Sequence, residues 1–138
     1  MCEPYTGTMC TSVLRSLKDC YAPGTTDIFI SSRGGDQSSA EQSARLLVSF
    51  LELLRAPQDC RDAALPFTCH YLFPLCGPAG ELVQPNCTQC FYVNNDVCAD
   101  VWQRALQSSL ASLAAERRPR CSELPVSTPQ CEGTSTIL

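Results

Sequence analysis

Three groupings in this sequence have the residue types from which chemistry is built. Cys69 and His70 are adjacent, the two types that make a thiolate nucleophile and its base. Cys87-Thr88-Gln89-Cys90 has the spacing of a thiol oxidoreductase. Arg117, Arg118 and Arg120 form a small cationic cluster of the kind that meets sulfated polysaccharide. Each has a plainer reading, and the plainer reading is favoured. Adjacent residues seldom aim at each other, and a cysteine in an oxidising setting is bonded. No strand–helix pattern surrounds Cys87 and Cys90, so two separate structural bridges account for them. Three arginines suit the solvated C-terminal end of a helix. Zinc fails on ligand count, with one histidine and no second Cys-x-x-Cys. Gly34-Gly35 and Gly77-Pro78-Ala79-Gly80 lack the Lys-Ser/Thr and the following helix of a phosphate loop. The chain is therefore expected to have no catalytic residue, no metal and no cofactor.

What it has instead is cysteine. Eleven of 138 residues are cysteine, the proportion at which a short chain reads as a disulfide scaffold. Most lie far apart in sequence, which suits bridges between distant segments and an extracellular compartment. Asn86-Cys87-Thr88 is an N-glycosylation sequon, which fits the same compartment. The start, Met1-Cys2-Glu3-Pro4, has neither the charge nor the apolar run of a signal peptide. No apolar run reaches the roughly 18 residues of a membrane span. The expectation is a mature extracellular piece whose leader and any membrane anchor lie outside it. Ten cations against fourteen anions leave a net charge of −4, which argues against nucleic acid as a partner.

The elements that must hold these residues are mostly helical. Length and an apolar fraction of 44% point to a single domain over 1–138, with its core at 2–131 and an irregular tail at 132–138. Asp27–Ser31 is short and β-branched, a strand. Ser38 followed by Glu41 has the pattern of a capping box. It precedes Ala44, Leu47, Val48, Leu51 and Leu54, whose three- and four-residue spacing predicts a helix over 39–55. Leu46, Phe50 and Leu53 fall on its other side, so this helix is buried or lends a face to a partner. Pro57 ends it. A second helical pattern runs from about Cys90 to Glu116. Exposed apolar and aromatic content on a rigid disulfide-tied helical module is the profile of a binding domain.

The ladder of cysteines resembles the Frizzled-type cysteine-rich domain over nearly the whole chain, Cys2 to Cys131. Its most specific pieces are Cys2-Glu-Pro-Tyr-Thr-Gly-Thr-Met-Cys10, Phe67-Thr-Cys69-His-Tyr-Leu-Phe-Pro-Leu-Cys76 and Cys121-Ser-Glu-Leu-Pro125. The first two look closer to the receptor tyrosine kinases of the ROR and MuSK type than to the Frizzled receptors. One spacing departs from the family: two residues, not three, separate Cys87 from Cys90, and Cys98 lies one residue further on.

The resemblance implies a mainly α fold with short β strands and five bridges: Cys2–Cys76, Cys10–Cys69, Cys60–Cys98, Cys87–Cys131 and Cys90–Cys121. Cys20 has no place in that ladder and is left unpaired. The implied function is non-enzymatic: an extracellular module that binds a Wnt-type protein ligand or a co-receptor. A fatty acyl chain of the ligand would lie in a groove lined by Leu47, Phe50, Leu51 and Leu54 with Tyr71 and Phe73 opposite. The alternative is a lipid-independent interaction or dimerisation module, in which the same side chains are plain core.

Overall fold

The structure, a computed structural model, describes residues 2–21, 27–29, 36–76 and 82–125. It opens with strand β1 (Cys2–Pro4), a loop, and helix α1 (Thr11–Tyr21), whose Leu14 and Leu17 are buried. β1 pairs antiparallel with β2 (Asp27–Phe29), Glu3 opposite Ile28. The expected strand thus includes 27–29; residues 30 and 31 lie outside the described residues. β2 in turn pairs with β3 (Leu75–Cys76) and β3 with β4 (Leu82–Val83), all antiparallel, in the order β1-β2-β3-β4.

Helix α2 (Gln37–Leu53) begins two residues before its predicted start, and for a different reason. The Ser38/Glu41 capping box does not form. Asp36 is the cap: its backbone is extended and its Oδ1 accepts the Ser39 N–H at 2.8 Å. Ser38 therefore lies inside the first turn, and Glu41 is released for other partners. At the far end, Arg55 takes φ of 52° while its N–H donates to Glu52 O and that of Ala56 to Leu51 O. These two bonds are a Schellman closure, in which glycine is the usual left-handed residue. α2 has thus closed before Pro57, expected from sequence to end it, which instead serves as the N-cap of α3 (Gln58–Leu72). Pro66 sits within α3 and offers no N–H to the Asp62 carbonyl.

The second helical pattern is not one helix but several pieces. α4 (Cys87–Phe91) runs into a π-helical segment, Tyr92–Val97, where the Cys98 N–H reaches back five residues to Val93 O at 2.9 Å. α5 (Ala99–Leu106) follows. It ends at Ser108, whose hydroxyl donates to Ala105 O and accepts the Leu110 N–H, turning the chain into α6 (Ala111–Arg117). A 3-10 turn, Cys121–Glu123, comes last among the described elements. Periodicity could not show these breaks, because each side of the π segment keeps its own apolar stripe.

Two buried clusters share α2 and α3. One joins Leu47 and Leu51 to Phe67, Tyr71, Val93, Val101 and Trp102. The other joins Ala40 and Ala44 to Leu14, Leu17, Ile28, Phe73 and Leu75. Three disulfides fasten the layers, and they coincide with three of the pairs the resemblance implies. Cys10–Cys69 ties the start of α1 to α3, Cys60–Cys98 ties α3 to the end of the π segment, and Cys90–Cys121 ties α4 to the final turn. Their Cα atoms are 5.6, 5.0 and 5.3 Å apart. Cys76 is also disulfide-bonded. The side chains of Cys2 and Cys20, and all of Cys131, lie outside the described residues. Cys87 is half-buried and has no partner among the described residues.

Candidate binding surface

The densest polar contacts join the N-terminal loop to α2. Glu41, freed from the helix end, accepts from the Tyr5 hydroxyl at 2.6 Å, the Thr8 N–H at 2.9 Å and the Met9 N–H at 2.8 Å. Arg45, one turn on, donates to Glu41 Oε2 at 3.3 Å and to Thr8 Oγ1 at 3.0 Å. Gln37 reads the same loop: its Oε1 accepts the Thr6 N–H, and its Nε2 donates to Pro4 O and Glu3 Oε1. Tyr5 in addition accepts the Cys10 N–H and meets Phe73 edge-on at 4.8 Å. Burial and then the Glu41 hydrogen bond push the Tyr5 phenol up to about 12. Burial pushes the Glu41 carboxyl up, but the bonds from Tyr5, Met9 and Thr8 outweigh it and hold the group below its usual value.

Gly7 completes this latch. A Cβ there would stand 2.6 Å from the Tyr5 hydroxyl and 2.7 Å from Glu41 Cδ, so any side chain would displace these two groups from their bonds. Above the latch lies a cleft of about 610 Å³, lined among others by Thr6, Thr8, Ser38, Gln42 and Arg45. Its walls carry hydroxyl, amide and charged groups, which suit a polar contact.

The residues expected to line an acyl groove are placed otherwise. Leu47, Leu51 and Tyr71 are buried together in the first cluster, with half-buried Leu54 packed against it. Tyr71 stacks on Phe67 at 5.8 Å, and its hydroxyl accepts the Arg120 N–H. Phe73 is 1% exposed and belongs to the second cluster, under Tyr5. Phe50 is 6% exposed. The structure therefore brings four of the six together, in core, and sends Phe73 to the other side of α3. Among the described residues, the large apolar side chains that do meet solvent are Leu53, Phe91 and Leu106.

The three chemical groupings resolve into structure. Cys69 is bonded to Cys10, so it offers His70 no thiolate. His70 is itself buried and donates from Nε2 to Val83 O at 3.0 Å, pinning β4 to α3; burial drives its pKa down to about 4. Cys90 is bonded to Cys121 and not to Cys87. Arg118 lies 5.9 Å over the Trp102 ring and donates to Asn95 Oδ1, while Arg120 pairs with Glu123 at 3.7 Å. The side chain of Arg117 is outside the described residues. Asn86, read from sequence as a glycan acceptor, is the N-cap of α4.

Sequence reasoning missed the latch. The signal was present in Cys2-Glu-Pro-Tyr-Thr-Gly, whose tyrosine and glycine are the two residues that Glu41 requires. What no local pattern could supply was their partner in α2, more than thirty residues away. Compared with protein families, residues 2–128 match the model of the Fz domain.

Proposed function

The chain belongs to the Fz domain family, and from that premise we propose that it is an extracellular module binding a Wnt-type protein ligand or a co-receptor, without catalysis of its own. The family match over 2–128 carries this reading. The cross-linked helical scaffold agrees with it: a surface held by disulfides loses little freedom when a partner docks. The opening Cys2–Cys10 motif and the Cys69–Cys76 block lead us to place it with the receptor tyrosine kinase type. Any membrane attachment would come from regions beyond these residues.

Of the two forms of binding, the lipid-independent one has the better support. Leu47, Phe50, Leu51, Tyr71 and Phe73 would have to leave the core before an acyl chain could reach them. Leu53 and Phe91, already exposed, are better placed as anchors for a protein surface. The test is surface-immobilised domain titrated with an acylated Wnt-type ligand and with the same ligand enzymatically deacylated. Equal affinity within a few-fold, lowered together by Leu53→Asp or Phe91→Asp, is expected. A hundredfold loss on deacylation would overturn lipid independence. Absence of binding to either form, with co-receptor ectodomains also failing, would overturn the ligand class.

A further inference from the structure

Asn86 heads the sequon Asn86-Cys87-Thr88, yet in the folded chain the same side chain closes a helix. Its Oδ1 accepts the Gln89 N–H at 2.8 Å, and Gln89 Oε1 accepts the Asn86 N–H at 3.2 Å. The pair is a reciprocal capping box. The backbone on both sides is held as well. Pro85 is fully buried, the Cys87 N–H donates to Pro125 O at 2.8 Å, and Cys90 is bonded to Cys121. Asn86 as a whole is 6% exposed.

Glycosylation requires the opposite presentation. The carboxamide nitrogen attacks the anomeric carbon of a lipid-linked oligosaccharide, a C–N bond forms, one amide proton is lost and the lipid pyrophosphate departs. The nitrogen must therefore enter an enzyme pocket, and the product must leave room for a branched sugar. A buried cap between two anchored neighbours meets neither condition.

We propose that Asn86 is a conformation-gated acceptor. A chain that has not closed α4 accepts a glycan, the folded domain refuses it, and the native secreted protein carries Asn86 unmodified because the cap forms first. The sugar would be joined at Nδ2 while the cap uses Oδ1. It is therefore the burial of this side chain, and not the capping bond itself, that shuts the glycan out of the folded domain. The inference rests on passage through the secretory route and is independent of which ligand the domain binds.

The test uses the full chain secreted with a leader and carrying Gln107→Asn. That substitution places a second sequon, completed by Ser109, on the exposed turn after α5. Occupancy at the two sites is read by peptide mass spectrometry before and after glycosidase. Secreted molecules are expected to carry sugar at 107 and none at 86. Dithiothreitol during synthesis withholds Cys60–Cys98 and Cys90–Cys121; it should raise occupancy at Asn86 at least several-fold, in chains retained by the cell. Thr88→Ala abolishes that signal and leaves the cap intact. A glycan at Asn86 on most secreted molecules would overturn the proposal. So would unchanged occupancy at Asn86 under dithiothreitol while site 107 is filled.

Discussion

Among the described groups, His70 is the one that makes stability depend on pH between about 7 and 5. It is the chain's one histidine, buried, with Nε2–H donated to Val83 O at 3.0 Å. Burial holds its folded pKa at about 4, against an ordinary imidazole value of 6.5. A depressed pKa means that the unfolded chain binds the proton first, so stability is whole above about 6.5 and declines as pH falls toward 4. The loss reaches about 2 kcal/mol at pH 5 and about 3 kcal/mol at pH 4. Glu41 has a lowered carboxylate pKa, so its contribution is lost only further down, and pH 7 to 5 reports His70. Urea unfolding with disulfides intact, of the native chain and of His70→Gln, should show a stability difference that moves by about 2 kcal/mol between pH 7 and pH 5. A difference constant across that range would refute the reasoning: the imidazole would then have to keep its proton or find water inside the fold.

Three further expectations follow from the same contacts. Gly7→Ala should cost about 1–3 kcal/mol, because its Cβ collides with the Glu41 carboxylate; it should also return the Tyr5 phenol from about 12 toward 10.0, read in an ultraviolet titration. Arg55→Gly should stabilise by about 1 kcal/mol and raise Tm by several degrees, since the left-handed C-cap no longer opposes a Cβ. Full reduction should abolish the cooperative melt near body temperature. The three described bridges span 59, 38 and 31 residues, worth about 4 kcal/mol apiece in chain entropy, together about as much as a typical domain's whole stability.

Local signals told the truth about α2 and β2, where apolar spacing and β-branching act within one element. They said little of α1, whose apolar residues are few, and nothing of α3. There Pro66 and a crowd of cysteine and aromatic residues masked a helix whose buried side reaches almost all round. Ser38 imitated a cap because Asp36, the group that caps, lay two residues outside the pattern being matched. The residues named for a groove are buried in this structure, and the sequence could not show that beforehand for a similar reason. Apolar excess on α2 has two explanations, a partner or two clusters to fill, and only the second cluster, built from β2, β3 and α1, shows which applies to Ala40 and Ala44. The latch at Glu41 was out of reach because its bonds join segments with no spacing in common.

The wide π turn between Cys90 and Cys98 has a bearing on how this chain can change length. Both cysteines are buried and each is committed to a different neighbour, Cys121 and Cys60. The segment between them holds one residue more than the related ladder, and the five-residue reach from Cys98 back to Val93 is where that residue is stored. It behaves as a slack loop in a taut line. Deleting one residue within 92–97 would let the stretch wind as ordinary α-helix, with Cys98 keeping its direction relative to Cys90, so both bridges would still close. Lengthening upstream of Cys90 would leave both in place. Tolerance to a change of length in this domain is therefore set by the angle between two fixed sulfurs, and the π turn is a place where one residue can be removed without moving either.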